Sequence, residues 1–295
     1  GEVFMECLHA AGGIRRGGYI LNVWPFMIYK EKRGNREFFY PFASPRGPND
    51  LLWATGSGFT DEGIREALPT IQKIKRSKAN VILAMGQQAM DLATGKSAKI
   101  GKWRGSILAG HPRVGKKVIP TYHPAATIHG VYLWRYLIIN DMKRALAEKG
   151  DPHLNLPVRR IMIDPTFKEI IEFIRECRKA GRFATDLEVI NHQVPCFSLC
   201  YDPGGMEGLV VPLSDDHGEP FWRLEDERDI WLEYAAALED PEVEKVNQNL
   251  IGFDMPFLAM QNHILAKGYM CDTMIAQHIL YPEFNKGLDF IASIH

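Results

Sequence analysis

The chain lacks several things that would narrow its class at once. No apolar run is long enough to cross a bilayer, so a membrane-spanning helix is not expected. The opening "GEVFMECLHAAGG" combines early acids with a short apolar stretch, which does not fit a secretory leader. Cysteine is sparse: Cys7, Cys177, Cys196, Cys200 and Cys271 form no C-x-x-C, and reduced thiols of a cytoplasmic protein are the expectation. Cys196 and Cys200 would share a face of "VPCFSLCYD", but two more ligands would be needed for a metal. Repeats and low-complexity tracts are missing too. The "ATGKSAK" stretch lacks the first glycine of a phosphate-binding loop, because Met90 stands there.

What is present is an ordinary globular balance, 46% hydrophobic and 24% charged over 295 residues, enough for two domains. The net charge of −1 hides an asymmetry. Residues 1–150 hold 23 Lys and Arg against 11 Asp and Glu, a net +12, and the remainder is correspondingly acidic. A basic half suits a polyanion and an acidic half suits cations, unless the latter is simply a solvated surface.

The first half reads as alternating strands and helices: "GYILNVWPF", a helix over "DEGIREALPTIQKIKRSK" started by Thr60 or Asp61, "NVILAMG", "QQAMDLATGK", "KKVIPTYHP" and a long helix running to Gly150. This predicts an α/β domain over residues 1–150 with a mostly parallel sheet. "DPHLNLP" at residues 151–157 reads as a linker. Residues 158–295 then give a strand and helix, three successive strands, a helix, and a strand-to-helix segment around "NQNLIGFDMPFL".

Two carboxylates interrupt the strand "RFATDLEVI". Residues two apart on a strand share a face, so Asp186 and Glu188 project together. Close carboxylates repel unless a cation lies between them, and a divalent metal is the natural partner; a salt-bridged or exposed edge pair is the plainer alternative. Asp254, embedded in "GFDMPFL", is no solvated surface charge, though a helix cap would also account for it.

Together these segments resemble the first two motifs of the DnaQ-like 3′–5′ exonucleases, which have an RNase-H-like fold. "CDTMIAQHILYPEFNKGLDFIASIH" extends the likeness toward phage DNA polymerases. The resemblance implies a mixed-sheet exonuclease domain over 158–295 using two Mg²⁺ or Mn²⁺ ions. Asp186 would bridge both ions, Glu188 would bind one and orient water, Asp254 would hold the second, and Asn249 would support the DNA contact. The family's third motif, a Tyr- or His-led Asp, is not found by His295. Asp272 and Asp289 match the intervening segment instead, so the chain reads as a piece of a longer protein continuing into a polymerase domain.

In the basic half, "VIPTYHPAATIHG" with His123, "AGGIRRGGYILNVWPF" with Asn22, "NVILAMGQQAM" and "KIGKWRGSI" resemble, in that order, the uracil-DNA glycosylase superfamily, whose fold is a parallel-sheet sandwich. The likeness implies that Asn22 contacts the flipped base, His123 stabilises developing negative charge, and Ile128 supplies an apolar wedge. The Gly-Glu-x-Pro-Gly loop and the iron–sulfur cysteines of that family are missing, so no iron–sulfur cluster is expected. A DNA-binding module without uracil excision is favoured. "YKEKRGNREFFYPF" places Lys30, Lys32, Arg33 and Arg36 among aromatics, which suits single-stranded DNA or, equally, a solvated turn before core aromatics.

The order of modules resembles phage family A DNA polymerases with an N-terminal glycosylase-like domain. It implies a proofreading fragment in the host cytoplasm, with single-stranded DNA and DNA 3′ ends as partners and no membrane. An active uracil-DNA glycosylase with an appended nuclease fold and a non-catalytic DNA-binding adaptor are the alternatives.

Overall fold

The structure is a computed structural model describing residues 1–24, 28–41, 50–97, 99–128 and 131–294. Two compact units are present: Gly1–Asn155 with Ala292–His295, and Leu156–Ile291. The break falls inside the polar, proline-bearing stretch expected to be the linker. No helix among the described residues is long and apolar enough to cross a membrane.

Unit 1 contains α1 (Glu2–Ala10), β1 (Ile28–Arg33), β2 (Arg36–Pro41), β3 (Trp53–Ala54), β4 (Gly58–Phe59), α2 (Asp61–Arg76), β5 (Val81–Met85), α3 (Gln87–Thr94), β6 (Lys117–Thr121) and α4 (Trp134–Ala147). The Thr60 side chain accepts a hydrogen bond from the Gly63 amide, satisfying one orphan donor of α2. Gly63 itself is required by close approach, since a Cβ there would lie 1.9 Å from the Leu52 carbonyl oxygen.

The sheet of unit 1 departs from expectation in two ways. Among the described residues of this unit only β5 and β6 pair in parallel, in a two-stranded sheet; β1–β4 form a separate antiparallel sheet in that order. The basic-aromatic stretch is a hairpin of that second sheet, turning at Gly34 with φ +59°. Within it the adjacent Phe39 and Tyr40 are both buried, one on each face of β2, while Lys30, Lys32 and Arg33 are exposed. The strand expected over "GYILNVWPF" does not form across residues 18–24, and its end lies outside the described residues. The long helix stops at Ala147, short of Gly150, and finishes in a 3₁₀ turn.

Unit 2 runs β7 (Arg160–Met162), α5 (Phe167–Ala180), β8 (Arg182–Ile190), β9 (Gln193–Cys200), β10 (Glu207–Pro212), α6 (Leu224–Leu238), β11 (Glu244–Asn247), a π-helical turn (Leu250–Asp254), α7 (Met255–Gln261), β12 (Met270–Asp272), α8 (Thr273–Leu280) and the start of α9 (Leu288–Ile294), whose residues from Ala292 on are assigned to unit 1. Its single mixed sheet has the order β12-β11-β8-β9-β10-β7. β8 and β9 are antiparallel, joined by a tight turn in which Asn191 and His192 both take positive φ, the geometry that matches strand twist in a hairpin. β11 pairs in parallel with both β8 and β12. Helix α5 starts with a reciprocal capping box between Thr166 and Glu169.

One face of β8 is buried: Phe183, Thr185 and Leu187 lie on it. That face meets α5 and α6 in a core containing Ile170, Ile174, Phe197, Ile230 and Tyr234. Tyr234 stacks on Phe197 at 4.2 Å between ring centroids, and its hydroxyl shares a 2.7 Å hydrogen bond with Thr185 Oγ1. Covering this face by helices leaves the opposite face, with Asp186 and Glu188, free for chemistry.

Candidate active site

Strand pleat places Asp186 and Glu188 on the exposed face of β8. The antiparallel register puts Ser198 opposite Asp186 and Cys196 opposite Glu188. A thiol therefore stands beside the acid pair, and burial first, then the charges of Glu188 and Asp186, push it above its ordinary pKa. Sequence spacing had shown that Cys196 and Cys200 share a face, but only the register shows whose face it is. All five cysteines are free.

Asp254 reaches the same region from a distant part of the chain. The β11 strand pairs with β8 only as far as Ala184. Further along β8, the Leu187 amide donates to Asp254 Oδ1 at 3.1 Å. Asp254 is 2% exposed. Its pKa is raised to about 6, mainly by burial; the Leu187 hydrogen bond opposes this, while the charges of Asp186 and Asp272 add to it. No salt bridge reaches Asp254 among the described residues. Asp186 in turn accepts a 3.1 Å hydrogen bond from Asn247 Nδ2 at the end of β11.

Asn249 lies in the left-handed conformation, φ 60° and ψ 27°, just before the π-helical turn that ends at Asp254. Asparagine tolerates this geometry better than most residues. Its backbone amide donates to Asp272 Oδ1. Asp272, read from the sequence only as part of an intervening segment, is 5% exposed and caps α8. Asp289 is exposed at the first turn of α9 and its Oδ1 accepts from the Phe290 amide, as expected of a helix start.

The donor chemistry of Asp186 and Asp254 fits a hard divalent cation: both supply carboxylate oxygens, and one is buried against another acid with no basic partner. Glu188 shares the face, yet among the described residues no three His, Cys, Asp or Glu side chains converge as a metal-binding group.

The sites expected in unit 1 are more dispersed. His123 follows β6, and its Nδ1 accepts from the Ala125 amide at 3.2 Å, which leaves the proton of the neutral ring on Nε2. Burial lowers its pKa. Gly86, with φ +93°, packs against this side chain: a Cβ there would lie 3.4 Å from His123 Cβ. Asn22 is exposed, and its backbone carbonyl accepts from Thr70 Oγ1 at 2.7 Å. Ile128 is 66% exposed after the 3₁₀ turn Pro124–Thr127. In the hairpin, Lys30 pairs with Glu37 and Arg33 with Glu31, while Arg36 donates to the Thr55 carbonyl and Ser57 Oγ. Several of the expected DNA-facing cations are thus already engaged within the sheet.

No family model matches the chain. No curated protein matches it either. Among solved structures it is similar to Trypanosoma brucei RNase D, with 14% identity over 39% of this chain and 39% of that one and a TM-score of 0.31. It is also similar to the EXD2 exonuclease domain soaked in Mn and GMP, at 18% identity over 43% and 64% with a TM-score of 0.28. A third similarity is to Escherichia coli RNase D, an exoribonuclease involved in structured RNA processing, at 17% identity over 41% and 28% with a TM-score of 0.26. The chain spans less than two thirds of the length of each of these structures.

Proposed function

We propose that Leu156–Ile291 is the RNase-H-like core of a divalent-metal nuclease that removes nucleotides from the 3′ ends of DNA. The observation that carries this reading is the buried Asp254 carboxyl beside Asp186, on the open face of the strand that also carries Glu188. The strand order, with β8 central, flanked by antiparallel β9 on one side and parallel β11 on the other, supports it.

Bound Mg²⁺ or Mn²⁺ would supply Lewis-acid activation of water and neutralise charge on the phosphate. Asp186 and Asp254 would hold the metal. Asn247 keeps Asp186 Oδ1 turned toward β11, and the Leu187 amide fixes Asp254. Glu188 would orient the water and accept its proton as the new P–O bond forms; the P–O3′ bond breaks in the same displacement, the departing 3′ oxygen takes up a proton from solvent, and the products are a 5′-nucleotide and a shortened strand with a free 3′ hydroxyl. The Leu187–Asp254 contact acts across the β8–β11 junction, so the two segments present their acids as one unit.

Unit 1, with its basic hairpin and the exposed Ile128, would hold DNA, and a polymerase domain would lie further along a longer protein. Its glycosylase-like ancestry is part of the same reading, with His123 and Asn22 as fold remnants of a base-excision site.

The test uses the chain with 5′-labelled single-stranded DNA and Mn²⁺ or Mg²⁺. The expected result is a ladder shortened from the 3′ end that disappears with chelator and in Asp186→Ala. A ladder that persists in Asp186→Ala would sink the assignment of this site.

A further inference from the structure

Asp254 owes its place to a turn rather than to a strand. Asn249 is left-handed, and the Gly252 and Phe253 amides both donate to its carbonyl. The turn is also tight: a Cβ at Gly252 would come within 2.4 Å of Asn249 Oδ1. At the start of such a turn the leading amides have no helical acceptor. Two of them, from Asn249 and Ile251, donate instead to Asp272, at 3.1 Å to Oδ1 and 3.1 Å to Oδ2. The same carboxylate accepts from the Met274 and Ile275 amides that open α8.

We propose that Asp272 is a positioning residue for the candidate active site: its buried carboxylate clamps the Asn249–Asp254 turn to the start of α8 and so presents Asp254 to Asp186. This deepens the nuclease reading and rests on it for the role of Asp254. A cap for α8 alone would need only one oxygen. The second oxygen, on the Ile251 amide, takes no part in the start of α8. Its effect runs through the turn to Asp254 and then to the Leu187 amide on β8.

Asp272→Asn separates the two jobs. An amide keeps the shape and retains one acceptor for capping, but it sets an NH₂ against one of the backbone donors. Asp272→Ser, which can cap a helix but is too short to bridge both segments, serves as the second variant. Folding is followed by circular dichroism. The decisive readouts are amide exchange at Leu187 in the full chain and Mn²⁺ affinity by titration, with Asp254→Asn as reference.

In the folded Asp272 variants, Leu187 exchange should quicken at least about tenfold and Mn²⁺ binding weaken about ten- to a hundredfold, the range typical for partners that orient metal ligands. Leu187 exchange unchanged within twofold overturns the proposal, whether or not Mn²⁺ binding changes, because a change in affinity alone would mean that Asp272 acts by charge rather than by position. Faster Leu187 exchange in a chain whose wild type binds Mn²⁺ no better than Asp254→Asn would uphold the positioning role and bring down the nuclease reading.

Discussion

Each unit buries an aspartate, and the two are treated differently. Asp141 in unit 1 is fully buried and faces Arg104, itself 1% exposed, with the Arg104 Nη2–Asp141 Oδ1 contact at 3.1 Å. Thr121 Oγ1 adds a 2.7 Å hydrogen bond. Burial raises its pKa, and Arg104, Thr121 and Arg144 oppose that rise. Asp254 in unit 2 is just as hidden, but the charges acting on it are acids. A carboxylate buried with a cation and a hydroxyl is complete in itself. One buried beside another carboxylate is unfavourable until something positive arrives, and such uncompensated sites are where function concentrates.

The contrast makes opposite predictions for the two sites. Arg104→Ala strips Asp141 of its cation and should cost unit 1 about 3–5 kcal/mol, because an unpaired buried charge remains. Urea denaturation would measure it, and a loss below about 1 kcal/mol would show that Asp141 is satisfied by other means.

Asp254→Asn should do the reverse in metal-free protein. The folded pKa of about 6 lies above the ordinary aspartate value, so the native state holds the extra proton between roughly pH 4 and pH 6. Wild-type stability should therefore fall as pH rises through that window, by at most about 3 kcal/mol at 1.4 kcal/mol per unit, and stay low above it. The Asn variant should lack this slope and be the more stable protein at pH 8. Saturating Mn²⁺ should narrow the gap by stabilising only the wild type. Equal pH profiles for the two proteins would erase the difference drawn between the units.

Smaller effects mark the edges of the comparison. Thr166→Ala, which removes the capping box of α5, should lower the stability of unit 2 by about 1 kcal/mol in thermal or urea unfolding without changing metal affinity. Lys30→Ala should change stability by well under 1 kcal/mol, since its pair with Glu37 is exposed. If the hairpin holds DNA, the same variant should nonetheless reduce the salt dependence of DNA binding by about one counterion's worth. An unchanged salt slope would leave the hairpin as ordinary sheet surface.

Much of unit 2 was legible because its signals are local. The alternation in "RFATDLEVI" announces a strand with both acids on one face, and "IMIDPTFKEIIEFIRECRKAG" announces the strand and helix before it. Unit 1 was less legible. "YKEKRGNREFFYPF" left open a turn or a nucleic-acid grip, and it is a hairpin in an antiparallel sheet; "GYILNVWPF" has strand-like residues but forms no strand over 18–24. β propensity reflects what a strand packs against as much as the residues in it, so a short apolar run without a pairing partner misleads.

The sequence by itself determined that Asp186 and Glu188 project together, because side-chain direction along a strand has a period of two wherever the strand lies. It also set the charge asymmetry and marked the junction near Asn155. Only the tertiary structure decided that Asp254 lies buried against that face, that Cys196 stands opposite Glu188, and that Asp272 holds the turn between. Those relations depend on register and on which strands neighbour β8, and they join residues far apart in the chain. Local periodicity carries no information about such crossings; they are fixed when the helices cover one face of the sheet and leave the other to the acids.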